Sequence, residues 1–221
     1  MASIRKDDLE NGEIYHIFNK SISHYKIFNN HREISKIIET VRYYQVESPP
    51  YRLSRIHSFP QKIQNDLFES VIENKKNRLV EIVCYCIMPT HMHFVLKQLK
   101  DNGISIFMNN ISNSYSRYFN ILHDRKGPLW VNRFKNILIQ SDEQLLHLSR
   151  YIHINPTTAY LVNKPEDWEY SSYNEYINDN FEKICDYDGL ISLSPIKYKE
   201  FVEDRIDYQQ QLLKIKDMLI E

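Results

Sequence analysis

The chain has 221 residues, 42% of them hydrophobic, and a formal charge of −1. That length holds one domain or one and a half with a real core, and the balanced charge excludes a global nucleic-acid signature, so any DNA affinity must come from local patches. Cys84, Cys86 and Cys185 make no disulfide framework, the four glycines form no phosphate-cradling loop, and without a signal peptide or an apolar run near the roughly 20 residues that span a bilayer the chain reads as cytoplasmic, with no membrane partner.

Residues 13–19 (Glu-Ile-Tyr-His-Ile-Phe-Asn) alternate and predict a first strand. Residues 27–44 predict a helix, because Ile34, Ile37, Ile38 and Val41 recur at helical spacing. Pro49, Pro50 and Pro60 break the pattern over 45–64, which reads as a loop or an inserted excursion, followed by a short helix over 66–74. Residues 80–88 are rich in β-branched and aromatic side chains and predict a strand. Pro89-Thr90 turns it into a second strand over 91–99. A long helix follows over 104–122, with Ile104, Phe107, Met108, Ile111, Tyr115, Tyr118 and Phe119 on one stripe. After the Gly127-Pro128 loop, 134–139 reads as a strand. Ser141 with Gln144 three residues on forms a capping box, opening a helix that runs to about 154 and is stopped by Asn155-Pro156. A final amphipathic helix is expected over 195–220, with Phe201, Val202, Leu212, Leu213 and Ile215 inward and lysines such as Lys214 and Lys216 outward.

The first six elements make a βαββαβ unit. The fold class is therefore α+β, ferredoxin-like, an antiparallel sheet with helices on one face, extended by the helix over 141–154 and a helical C-terminal part. The domain reading is 1–162 as one unit with an insertion at about 45–77, and 163–221 as the extension.

Two histidines stand one residue apart at the start of the second central strand. Side chains on a strand alternate with period two, so His91 and His93 share a face while Met92 and Phe94 point into a core on the other. Paired imidazoles on a rigid strand begin a metal site. Farther on, Tyr151 and Asn155 are four apart and share a helix face, which offers a phenol nucleophile and a carboxamide ligand. His153 points to a different face and reads as structural.

Together these segments resemble a known family. Tyr85-Cys86-Ile87-Met88-Pro89-Thr90-His91-Met92-His93-Phe94 is similar to the Met-Pro-x-His-x-His signature of the single-tyrosine HUH transposases, and residues 151–162, from Tyr151-Ile152-His153-Ile154-Asn155-Pro156 onward, resemble the tyrosine-helix motif of their REP-associated branch. Tyr15-His16-Ile17-Phe18-Asn19-Lys20 resembles the first strand of the family. Gly127-Pro128-Leu129-Trp130-Val131-Asn132-Arg133-Phe134 resembles its Gly-x-Leu-Trp-x-x-Arg-Phe segment, and Trp168 with Ser171-Ser172-Tyr173 the segment after the tyrosine helix. Thr158 and Tyr160 depart from the Arg and Gly common there, and the 45–77 stretch is long.

The resemblance implies cleavage and rejoining of single-stranded, hairpin-containing DNA. In it Tyr151 attacks phosphorus to leave a 5′-phosphotyrosine and a free 3′-hydroxyl. His91 and His93, with Asn155, hold Mg²⁺ or Mn²⁺. It allows a monomer or a homodimer. For DNA, Arg125, Lys126, Arg133 and Lys135 cluster around the Gly127 loop, Arg117 lies on the preceding helix and Arg150 next to Tyr151; backbone neutralisation and stacking hold single strands. Trp130 reads as a core anchor. Four other readings compete: a hairpin-binding descendant without cleavage, a replication initiator or relaxase, a sheet-face RNA binder with Tyr85 as its aromatic, and a zinc site from Cys84, Cys86, His91 and His93. Short cysteine side chains roughly 6.5–7 Å apart on a strand strain to meet one tetrahedral ion, so the cysteines read as small buried residues.

Overall fold

The computed structural model describes residues 8–181 and 183–211. In chain order the main elements are β1 (Ile14–Lys20), α1 (His31–Tyr43), α2 (Leu53–Ile56), α3 (Gln61–Ile72), β2 (Val80–Met88), β3 (His91–Gln98), α4 (Gly103–Leu122), β4 (Lys135–Leu138), α5 (Asp142–Thr158), α6 (Tyr173–Ile177) and α7 (Pro195–Glu203). The four strands form one sheet in the order β2-β3-β1-β4, with every neighbouring pair antiparallel. That is the α+β architecture expected of the βαββαβ unit.

The pleat sorts the apolar residues into two cores. Tyr15, Ile17, Met92, Phe94 and Leu96 pack with Ile34, Ile37 and the buried stripe of α4. Val83, Cys84, Cys86 and Val95 face the other way, onto Ile152 and Ile154 of α5, Tyr173 and Tyr176 of α6, and Tyr198 and Val202 of α7. A register shift between Ile82 and Cys84 lets Val83 and Cys84 both face this second core. The sheet is thus covered on both faces, by α1 and α4 on one and by α5, α6 and α7 on the other. Tyr85 is buried, so the sheet presents no open face through it as an RNA-binding sheet requires.

Gly103 opens α4 because nothing larger fits: a Cβ there would overlap the Leu79 carbonyl oxygen. The α1 helix begins at 31 rather than 27, since the Asn30 side chain accepts from Glu33 N as its N-cap. Ile27 and Phe28 instead run extended and donate to the Pro89 carbonyl, which pins the β2–β3 turn. The 45–77 stretch is more ordered than a loop. It forms α2 and α3 around a small cluster of Tyr43, Val46, Leu53, Ile56 and Val71, and Pro60 caps α3 instead of breaking it.

The α5 helix does not stop at Asn155-Pro156; it continues to Thr158 with Pro156 inside. Proline removes one backbone donor, but the turn survives because Pro156 and Thr157 are buried. Ala159 N still bonds to Asn155 O at 2.9 Å and Leu161 N to Pro156 O at 3.0 Å. The C-terminal helix expected over 195–220 is interrupted as well: α7 ends at Glu203, Asp204 and Arg205 form a turn, and helix resumes over 206–211. Leu212, Leu213, Lys214, Ile215 and Lys216 lie outside the described residues.

Candidate active site

The site sits where the second helical layer leaves the sheet uncovered. Antiparallel registry sets Phe18 opposite His93 and Lys20 opposite His91. Strand alternation then puts His16 and Phe18 of β1 beside His91 and His93 of β3. His16 Nε2 lies 3.0 Å from His93 Nδ1, and the two rings stack with centroids 5.2 Å apart. His91 and His93 are edge-to-face, centroids 5.0 Å apart. Thr90 Oγ1 lies 2.9 Å from His91 Nδ1. Both histidines of the pair therefore have Nδ1 engaged, and among the described residues neither Nε2 makes a hydrogen bond.

Burial keeps these imidazoles neutral. It lowers His16 to about 4. It lowers His91 to about 4 as well, helped by the nearby charges of Lys20 and His24. His93 is held well below the usual range by burial, then by His91, His16 and Lys20. Neutral imidazoles with Nδ1 engaged by a neighbour leave Nε2 facing outward, the arrangement that orients metal-binding histidines.

The α5 helix brings Tyr151 to this row. Its ring is perpendicular to that of His93, centroids 6.2 Å apart. Tyr151 is 44% exposed, so the phenol is open to a large substrate, and partial burial raises its pKa. The same helix carries Asn155, one turn on. Its Nδ2 is buried with no hydrogen-bond partner among the described residues, an unmet donor next to the tyrosine.

Two neutral imidazoles with free Nε2 atoms are donors suited to a divalent ion, and α5 carries the Asn155 carboxamide one turn from Tyr151. Among the described residues no group of three or more His, Cys, Asp or Glu side chains is arranged to hold a metal. Cys84 and Cys86 are free and fully buried, and burial pushes both thiols far up. They are core residues, and the zinc reading has no support.

The family described as "Transposase IS200 like" matches residues 39–155, more than half of the chain. The chain belongs to this family. Among curated proteins the chain is similar to a REP-associated tyrosine transposase of Escherichia coli (strain K12), 25% identical over 109 residues, which cover 49% of this chain and 63% of that relative. The alignment thus spans less than two thirds of the relative. Among solved structures the chain is similar to a REP-associated tyrosine transposase bound to a REP hairpin, with TM-score 0.53, 17% identity, and coverage of 87% of this chain and 96% of that one. At that identity the likeness is one of fold.

The cationic residues singled out in the sequence go to different places in the fold. Lys135 is exposed, with Nζ 6.0 Å from the centre of the Phe18 ring, on the site face. Lys126 and Arg133 are exposed on the loop before β4. Arg125 lies 5.4 Å over the Tyr25 ring and bonds Asn120. Arg150 is drawn away from the site: its guanidinium lies 4.1 Å over the Phe201 ring and bonds His147, which ties α5 to the C-terminal part. Arg117 projects from α4 on the opposite side of the sheet. Trp130 is a partly buried anchor, its Nε1 bonding Ser112 O and Ser116 Oγ.

Four residues that the sequence did not single out surround the histidine pair: His16, Phe18, Lys20 and His24. The alternation of β1 puts His16 and Phe18 on one face, but nothing in the sequence says which strand lies alongside.

Among the described residues no helix is long and apolar enough to cross a membrane.

Proposed function

We propose that this transposase cuts and rejoins single-stranded DNA through a covalent bond between Tyr151 and a 5′-phosphate, with hairpin-containing DNA as the partner. The observation that carries this reading is the perpendicular placement of Tyr151 on His93, beside the His91–His93 pair whose Nε2 atoms make no hydrogen bond among the described residues. Pure DNA binding needs neither the row nor the phenol.

In this reading His91, His93 and Asn155 hold a divalent ion, Mg²⁺ or Mn²⁺. When bound it polarises a non-bridging phosphate oxygen and stabilises the charge that develops on it. The α5 helix aims Tyr151 Oη at phosphorus in line with the departing 3′-oxygen. The Oη–P bond forms as the P–O3′ bond breaks. The phenol is neutral before attack, because burial raises its pKa above a value already near 10. Its proton leaves Oη during the step, the 3′-oxygen takes one up, and the proton count balances. The tyrosyl ester retains the energy needed for rejoining. Asn155 Nδ2, buried and unmet, donates to a phosphate oxygen. Lys20, Lys126, Arg133 and Lys135 neutralise the backbone of the strand, and Phe18 offers a ring for stacking.

The test is covalent capture. Labelled hairpin DNA with single-stranded flanks is incubated with the protein and Mn²⁺ or Mg²⁺, then run on a denaturing gel. A slow band that needs metal and is absent in Tyr151→Phe, with binding retained, is the expected result. His91→Ala loses the band through the metal. Binding without adduct from the wild type under all these conditions overturns cleavage and leaves a DNA-binding protein.

A further inference from the structure

The face of the molecule away from the histidines carries a second feature. A groove of about 540 Å³ runs between α1, α4 and the α2 turn of the insertion. Arg32, Lys36, Arg52, His57 and Arg117 line it, with no Asp or Glu among the lining residues. That is a marked local imbalance in a chain with 28 basic and 29 acidic residues. The two nearby carboxylates of α1 are already engaged. Glu39 is held by Lys36 at 2.7 Å and His57 at 3.2 Å. Glu33 is buried and held by His123 at 2.6 Å. Arg32, Arg52 and Arg117 are exposed, and no carboxylate lies within ion-pair distance of them among the described residues. Three guanidinium groups gathered without a counter-charge repel one another, and planar guanidinium is suited to phosphate oxygens. Apolar and aromatic side chains line it too, Tyr44, Tyr118, Ile121 and Leu122, with Ile121 76% exposed.

From this we infer that the groove binds a single strand of DNA, its phosphates on Arg32, Arg52 and Arg117 and its bases against Tyr118 and Ile121. The inference rests on the DNA-cleaving reading above. It adds a second DNA contact, on the sheet face opposite the chemistry and walled in part by the insertion. Arg117 lies near the C-terminal end of α4. From there the chain passes Arg125, Lys126 and Arg133 to Lys135 beside the site, so cations lie along the segment that joins the two faces. Phosphate contacts position a nucleic acid without reading its sequence, so the groove supplies affinity and orientation.

The experiment is a salt series. Binding of a labelled hairpin oligonucleotide with single-stranded flanks is followed by fluorescence anisotropy, for the full chain and for the Arg32→Gln/Arg52→Gln/Arg117→Gln variant. Each phosphate contact on a single strand contributes about 0.7 to the slope of log K against log salt. The variant is expected to flatten that slope by about 2 and to bind roughly tenfold or more weakly at low salt, while still forming the Tyr151 adduct at saturating DNA. The single variant Arg52→Gln, on the insertion alone, is expected to change the slope by about 0.7, and Arg52→Lys to restore it. Unchanged affinity and slope in the triple variant, with adduct formation intact, overturn the groove and leave the cleavage reading standing. A wild-type protein that neither binds nor forms adduct overturns both.

Discussion

His16 is the residue on which the histidine pair depends. Its Nε2 is 3.0 Å from His93 Nδ1, and it is buried. Removing His16 leaves the buried Nδ1 of His93 without its partner and frees the ring to turn. Substitution of such an outer partner typically costs 10–100-fold in metal affinity. His16→Ala is therefore expected to weaken Mn²⁺ binding by about that factor, read by titration of the free protein, with DNA binding unchanged and adduct formation rescued by high metal. Equal metal affinity in the variant would refute the role. His91 and His93 were legible in the sequence because period two acts within one strand. His16 was not, because it meets His93 only through strand pairing between residues 77 apart.

At the scale of the element, α5 is held by a buried chain of hydrogen bonds through His153. Tyr198 Oη donates to Ser149 Oγ at 2.9 Å, and Ser149 Oγ donates onward to Leu146 O at 2.8 Å. His153 Nδ1 lies 2.7 Å from Tyr198 Oη, and its Nε2 lies 2.8 Å from Ser172 Oγ, which also donates to Tyr85 O at 3.2 Å. The imidazole is neutral in this chain, and burial lowers it to about 3. The unfolded value is near 6.5. Between those values the unfolded chain binds a proton that the folded one does not, so stability is full above pH 6.5 and falls as pH drops toward 3. The slope from this group approaches about 1.4 kcal/mol per unit. Urea midpoints at pH 7, 5.5 and 4.5 check it, and in His153→Phe the acid sensitivity is expected to lessen while stability at pH 7 drops by about 2–4 kcal/mol, because Tyr198 and Ser172 lose their partner. The sequence showed His153 off the Tyr151 face and structural. It did not show the helix passing Pro156, because local preference stops there and the burial of Pro156 and Thr157 that overrides it comes from the rest of the fold. The extra turn matters to the site, since it keeps Asn155 within regular helix rather than at a fraying end.

At the scale of the whole molecule, one sheet serves two layers, and the candidate site lies where the second layer stops. The signal for two layers was present in β2: apart from Glu81, every residue from Val80 to Met88 is buried, and near-continuous apolar runs mark strands covered on both faces. What covers the second face was hidden, because α6 and α7 are short and their packing residues are tyrosines, Tyr173, Tyr176 and Tyr198, whose presence in a sequence fits stacking and packing equally. This division predicts separable damage. Ending the chain after Leu193 removes Tyr198 and Val202 from the second core and Phe201 from beneath Arg150. Loss of one large buried side chain costs about 3–5 kcal/mol, so the truncated protein is expected to have a much lower urea midpoint. The α1/α4 core shares none of these residues, and the arginine groove is built on that core. Adduct formation should therefore fail first as urea rises, through loosening of α5, while salt-dependent binding of single-stranded DNA persists to higher urea. Following adduct yield and anisotropy along one urea series separates the two. Their simultaneous loss would mean that the layers unfold as one unit, and that α7 serves the whole sheet rather than the tyrosine helix.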